Sequence, residues 1–575
     1  MSYRFTLAVV LWCVILAILM EMPHLLHVWD PRYQGVVMPH NSDEAVYLAR
    51  VEEALNGRPE QSAEAFVGHP GLVGTQFALI EMAEGTLFRW TGLRAAEVFV
   101  ILDSVIPVLV FLSLLFFLRL AGFRRWHAFA GAVVFCVIEL YSLNRPVHMR
   151  ESFLLMMLAL IAVTWAMRLF ERRSPHVWWS VAAGAGLLGL LVGVYFWSFS
   201  FAWLWWGIFL LFEFSEWAYG NYHTHRHRPS RIIRCLCAAG SVFWHFRPRK
   251  PSMQFERWHI LAFIGVAGVL AALPFIAQHL QMSFHPLYDQ GVFRSGMRPS
   301  RLPESWPYSI LFCVMAVTAL AASLRDPEAM RPYRPAVVTV MTAFLFMNQQ
   351  VVHGVVFNFV SHSIFSLSLA AVCSVLLAVT LRKKLLMAGA VAACIYLAAI
   401  GYDGRYVLGQ WQVRDSDFAD QHLAGLLPFL DAMPRSRILS DQDTSSFIAA
   451  FSKHDIVFST YLKNVLVTHE ELTNRFCLLM LPIAPDKRAI HERQHLIFPD
   501  ASAAFGPEVR KEEERIVEER CRAADLDAAR MLKTYEVGFV LWNTAAEPTW
   551  DLRRLQVPLT ELARGDGWIL FRIIE

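Results

Sequence analysis

Apolar runs long enough to cross a bilayer recur from the N-terminus to about residue 402 and then stop. A chain built this way has few options. Lipid offers no partner to backbone N–H and C=O groups, so each run must close its hydrogen bonds within a helix. Composition agrees, with 56% of residues hydrophobic and 18% charged, against about a quarter charged in an ordinary globular chain. Beyond 402 the chain is richer in Asp, Glu, Lys and Arg. The expected fold is therefore a polytopic α-helical membrane domain over 1–402 and a soluble α/β domain over 403–575.

Eleven spans are expected, at about 5–20, 97–119, 126–143, 151–169, 177–195, 199–218, 258–277, 306–324, 335–352, 362–381 and 385–402. The first follows Arg4 but is trailed by Glu21-Met22-Pro23-His24 rather than a small-residue cleavage site, so it reads as a retained helix. Basic residues crowd alternate connections: Arg124-Arg125, Arg172-Arg173, the 219–257 stretch, Arg325 to Arg334, and Arg382-Lys383-Lys384. That bias places them in the cytoplasm. The N-terminus then lies in the cytoplasm of a multi-pass inner-membrane protein. The long first loop, 23–95, and the tail lie on the outer face. The His-x-His-x-His run at 223–227 lacks a nearby Cys or carboxylate and reads as part of a topology anchor.

In the tail, helical and strand-like stretches alternate, as in a small α/β sheet domain. Thr468-His469-Glu470-Glu471 predicts a capped helix running to Leu481. Asp441-Gln442-Asp443 reads as a turn or helix cap rather than a sugar-nucleotide motif. Glycine-rich phosphate loops are missing, so nucleotide binding is not supported, and no nucleic-acid partner is expected. Cys477 and Cys521, the two tail cysteines, are either a disulfide or two separate buried thiols.

Chemistry points to the outer face. Asn41-Ser42-Asp43-Glu44-Ala45-Val46-Tyr47-Leu48-Ala49-Arg50 opens a helix whose apolar residues Leu48, Val51 and Leu55 share one side, with Asn56-Gly57 as its stop. Asp43 and Glu44 are a carboxylate pair able to accept a proton or hold a cation, and also natural occupants of a helix N-terminus. The short outer loop contributes Arg145, His148 and Arg150, groups suited to gripping a phosphate. Asn348, Gln349, His353 and His362 crowd the outer ends of the ninth and tenth spans.

A first outer loop opening on an acidic pair, followed by Tyr47 and Leu48-Ala49-Arg50, resembles the membrane glycosyltransferases of the GT-C fold. The likeness is to bacterial relatives of the oligosaccharyltransferase catalytic subunit. The Asn348-Gln349…His353-Gly354…His362 run and the plan of long first loop, many spans and outer α/β tail fit the same resemblance. The Trp-Trp-Asp-Tyr-Gly motif of oligosaccharyltransferases is absent; Trp205-Trp206-Gly207 lies inside a span. What the resemblance implies is a polyprenyl-phosphate-linked sugar donor, Asp43 with its neighbour Glu44 as base or ligand of a divalent metal (Mg or Mn), and transfer to an acceptor at the outer face. The competing expectation is a non-catalytic membrane protein that binds or transports a lipid or anion in the same cavity.

Overall fold

A computed structural model describes residues 3–38, 44–59, 77–144, 148–224, 256–294, 298–356, 360–403, 414–483, 487–497 and 507–574. Asp43, Arg145 and the Asn41 cap fall outside these, as does most of the basic 219–257 stretch. Eight described helices are long and apolar enough to cross a membrane, by length and composition. The membrane helices are α1 (Tyr3–Trp29), α4 (Ala95–Leu120), α5 (Arg125–Ile138), α7 (His148–Glu171), α8 (Val177–Leu191), α9 (Phe196–Thr224), and the helices Arg257–Ser283, Trp306–Arg325, Arg334–Met347, Ile364–Leu381 and Lys384–Asp403. Each of the eleven expected spans meets one of them. Three, α5, α8 and Arg334–Met347, are shorter than the eight.

Boundaries differ from the sequence reading where polar residues intervene. The first helix runs nine residues past its expected end, straight through Pro23. The expected third span breaks at Glu139, which ends α5; a single turn, α6 (Leu140–Leu143), completes it. Glu139 is buried there and accepts a hydrogen bond from Ser368 Oγ.

One end of the bundle collects the basic turns. Arg168 donates to the carbonyls of Leu120 and Pro332, at 3.1 and 2.9 Å. Arg334 pairs with Glu213 and Glu216, both at 2.6 Å, while Arg257 reaches Glu213 and Glu171 at 3.0 and 2.7 Å. Gly122, at φ +95°, lets the chain turn against Pro332; a Cβ there would meet the Pro332 carbonyl oxygen at 2.7 Å.

The opposite end carries the first loop and the tail. Two helices of the loop are described, α2 (Glu44–Leu55) and α3 (Leu79–Phe88). Leu48, Ala49, Val51 and Ala54 of α2 are buried, and burying a side chain the size of Val or Leu contributes roughly 1.5–3 kcal/mol. Gly85 lets α3 lie directly on α2: a Cβ would meet Ala54 Cβ at 2.4 Å and the Val51 oxygen at 2.6 Å. Glu52 then accepts the Ala95 N–H at 3.1 Å, capping α4 from outside.

The tail is a five-stranded sheet in the order β4-β3-β5-β7-β6, with β3 (Arg437–Leu439), β4 (Asp455–Ile456), β5 (Val537–Asn543), β6 (Leu559–Gly565) and β7 (Trp568–Ile573). The first three strands are parallel; β7 runs antiparallel to β5 and β6. β6 was not foreseen; Leu559, Ala563 and Gly565 are its half-buried residues, while Thr560, Glu561, Leu562 and Arg564 are exposed. Asp441 caps the helix Gln442–Phe451 by accepting the Thr444 N–H at 3.0 Å, so the D-x-D stretch is a helix start. Thr468 caps His469–Met480 as its sequence predicts. A disulfide joins Cys477 on that helix to Cys521 on the helix Pro507–Leu526.

The hydrophobic core of the tail extends into the first loop. Val46, Leu48 and Val51 of α2 and Val98, Phe99 and Leu102 of α4 belong to the same buried cluster as Leu423, Ile438, Phe447, Val540 and Trp568. Polar contacts reinforce the seam: Arg94 to Asp431 at 2.6 Å, Arg32 to Asp415 at 2.7 Å, and the Gln421 amide against Val36 O at 2.6 Å.

Candidate active site

The first loop folds back onto membrane helices that carry buried charge. Asp103 on α4 is fully buried and takes Arg150 Nη1 at 2.5 Å, with His24 Nε2 of α1 at 2.9 Å. Arg150 Nε donates to Glu151 at 2.7 Å, and Arg150 Nη1 reaches the Leu143 carbonyl at 3.2 Å, closing the turn α6. One guanidinium thus fastens α4, α6 and α7, and Asp103 in turn holds α1 through His24. Pairing makes such burial tolerable, since an uncompensated charge in this setting costs several kcal/mol.

From the loop side, α3 brings Glu81 and Glu84 to the same place. Arg50 of α2 lies 3.7 Å from Glu81, both side chains buried. The Glu84 carboxyl is pushed well above the usual carboxylate range by burial, with Glu151, Glu81 and Asp103 adding repulsion and Arg150 opposing it. Glu84 and Glu81 sit three residues apart in a short apolar helix, a pattern visible in the sequence but not singled out there. His24 and Arg50 were missed for another reason: their partners lie 79 and 31 residues away in the chain.

The expected site residues divide into three groups. Glu44 begins α2 and is buried; Asp43 precedes it, outside the described residues. Arg150 is committed to Asp103 and Glu151 and buried from solvent, so the guanidinium expected as a phosphate grip serves inside the fold. His148 is the first residue of α7. On the far side, Asn348 accepts from Ser309 Oγ at 2.9 Å and donates to the Phe344 carbonyl at 2.8 Å. Gln349 is half-buried in the same helix end. His362 is half-buried, hydrogen-bonded through Nδ1 to the Tyr195 hydroxyl and stacked on that ring, with Trp197 6.3 Å away. His353 is exposed on a different turn. Among the described residues no group of three His, Cys, Asp or Glu is arranged to hold a metal.

No protein-family model matches the chain, and no curated protein matches it. Solved structures do. The oligosaccharyltransferase of Archaeoglobus fulgidus, tethered with an acceptor peptide, is 12% identical over 100% of this chain and 74% of its own, with a TM-score of 0.46. ArnT from Cupriavidus metallidurans, bound to undecaprenyl phosphate, is 10% identical over 100% and 98%, at 0.44. The arabinofuranosyltransferase AftD from Mycobacteria is 12% identical over 98% and 40%, at 0.41. These neighbours are membrane glycosyltransferases of the GT-C fold.

Proposed function

We propose that the chain is a membrane glycosyltransferase. It moves a sugar from a polyprenyl-phosphate-linked donor to an acceptor on the membrane face that carries the α/β tail. One observation carries the reading. The loop that opens with Asp43-Glu44 is folded down by α2 and α3 onto the bundle end where Asp103, Arg150 and Glu151 converge, so acid and base groups of the first loop and the membrane helices meet there. Buried ionisable groups at such depth are costly and are usually retained for function.

In this reading Asp43 takes the proton of the acceptor hydroxyl as its oxygen attacks the anomeric carbon. The bond from that carbon to the phosphate oxygen breaks with inversion, and the electron pair leaves with the lipid phosphate. Arg145 and His148 face the charge that develops there. Arg150 holds Asp103, Glu151 and the Leu143 carbonyl in place, and His362, hydrogen-bonded to Tyr195, and Asn348 with Gln349 are assigned to binding the same substrate. No step is assigned to a metal ion. The tail disulfide supports an oxidising, extracytoplasmic location for this face, and with it a cytoplasmic N-terminus.

The test is transfer from a labelled polyprenyl-phosphate sugar by the purified chain. Asp43→Asn should lose transfer by a factor of about 10² or more while its melting temperature stays that of the parent. Unchanged transfer by Asp43→Asn would overturn the assignment. Flux of substrate into liposomes with no covalent product would favour the transport reading.

A further inference from the structure

A second polar feature on the tail-bearing face lies apart from the cluster around Arg150. Two loops, following the helices Arg257–Ser283 and Arg334–Met347, are knitted into a small antiparallel ribbon: β1 (Arg298–Pro299) against β2 (Val355–Val356). Ser300 N–H donates to the Gly354 carbonyl at 3.1 Å, and Gln350 Nε2 reaches Leu302 O at 3.4 Å. Arg301 Nη1 donates to the carbonyls of Val351 and Val352, both at 2.9 Å. The guanidinium is therefore pinned by one nitrogen while its side chain stays exposed, and among the described residues it forms no ion pair. Gly354, at φ +82°, lets the chain pass close: a Cβ would lie 3.3 Å from Arg301 Nη2.

His353 stands beside it. The Val355 N–H points at its Nδ1, at 3.3 Å, which makes Nδ1 the acceptor and leaves the ring proton on Nε2. Burial and the neighbouring Arg301 both pull its pKa down, so it stands as a neutral donor at neutral pH. Around these two groups the surface is apolar. Leu302 is 65% exposed, Val352 81% and Trp306 58%. Trp306 starts a membrane helix on which Ile310 and Val317, also exposed, continue the same stripe down the bundle.

We infer that this ribbon is a phospholipid-binding wedge, with Arg301 taking the phosphate of an anionic headgroup beside His353 while Leu302, Val352 and Trp306 enter the acyl boundary. Three features select that occupant. The apolar surface is continuous with a lipid-facing helix stripe. The cation is held by two carbonyls and, among the described residues, forms no ion pair. Interfacial segments bind by buried apolar area combined with attraction to anionic lipid. Tryptophan at the headgroup level fits the same position.

The experiment is hydrogen exchange over residues 298–306 and 348–356 of the full chain in nanodiscs. Discs of phosphatidylcholine alone are compared with discs containing phosphatidylglycerol. Phosphatidylglycerol should slow exchange in both segments, and Arg301→Gln should lose that increment. Arg301→Lys keeps the charge but not the paired carbonyl bonds; any loosening from their loss will appear in both lipids, which separates it from a lost phosphate contact. Leu302→Ser with Val352→Ser should speed exchange in both. Equal exchange in all discs would overturn the inference. So would an increment that survives Arg301→Gln, or protection by polyprenyl phosphate with none from phosphatidylglycerol.

Discussion

Arg150 shows how far a residue's neighbours decide its role. In the sequence it stands between Met149 and Glu151 in a short polar loop, and an anion grip is the natural reading. In the structure it is enclosed, bonded to Asp103 47 residues earlier and to the Leu143 carbonyl. Sequence spacing carries no trace of the Asp103 contact, whereas the charged residues themselves, rare in apolar stretches, were legible as candidates. Arg150→Met should therefore destabilise the protein by roughly 3–5 kcal/mol, since two carboxylates lose their cation at once. Thermal unfolding in detergent measures this, and adding Asp103→Asn should recover part of the loss. Glu84 makes the opposite case. Its folded pKa is raised above the unfolded value, so its ionisation costs stability, and the cost appears as pH rises from about 4.5 through the raised folded value. Glu84→Gln should raise the melting temperature at neutral pH and flatten its dependence on pH; an unchanged profile would remove Glu84 from the network.

At the scale of elements, helix positions were legible because an apolar run in lipid has one way to satisfy its backbone. Breaks and endings were less so. The stop at Glu139 depends on Ser368, more than 200 residues away, and no local pattern announces it. Strand β6 went unseen because it pairs only with β7 and turns mostly polar side chains outward. The approach of α3 to α2 was equally silent, although Gly85 permits it. Gly85→Val should cost about 1–3 kcal/mol by overpacking and open the first loop to protease while leaving the membrane helices intact. Limited proteolysis followed by mass spectrometry reads both. The capped helices at Asp441 and Thr468 were legible, since a cap needs only residues three apart.

For the whole molecule, the division into a membrane domain and an α/β tail was written in composition. Their shared core was not. The two tail cysteines could be seen but not paired, and the fold brings their helices together across a sequence separation of 44. Replacing both with Ser should cost about 2–4 kcal/mol, read as faster proteolysis of the tail at 37 °C. A non-reducing gel shift after dithiothreitol should be seen in the parent and lost in the variant.

The seam between α2 and the tail has a bearing on how a cell makes this protein. The apolar side of α2 is synthesised within the first 55 residues, and α3 and α4 cover part of it, but the strands and helices that complete the cover come after residue 420. Until synthesis reaches them, a finished membrane bundle presents a half-covered greasy loop to whatever folding assistants patrol that compartment. A chain halted at 403 should be held by chaperones or cleared by proteases despite intact membrane helices, and co-expressing residues 404–575 as a separate exported piece should lengthen its life.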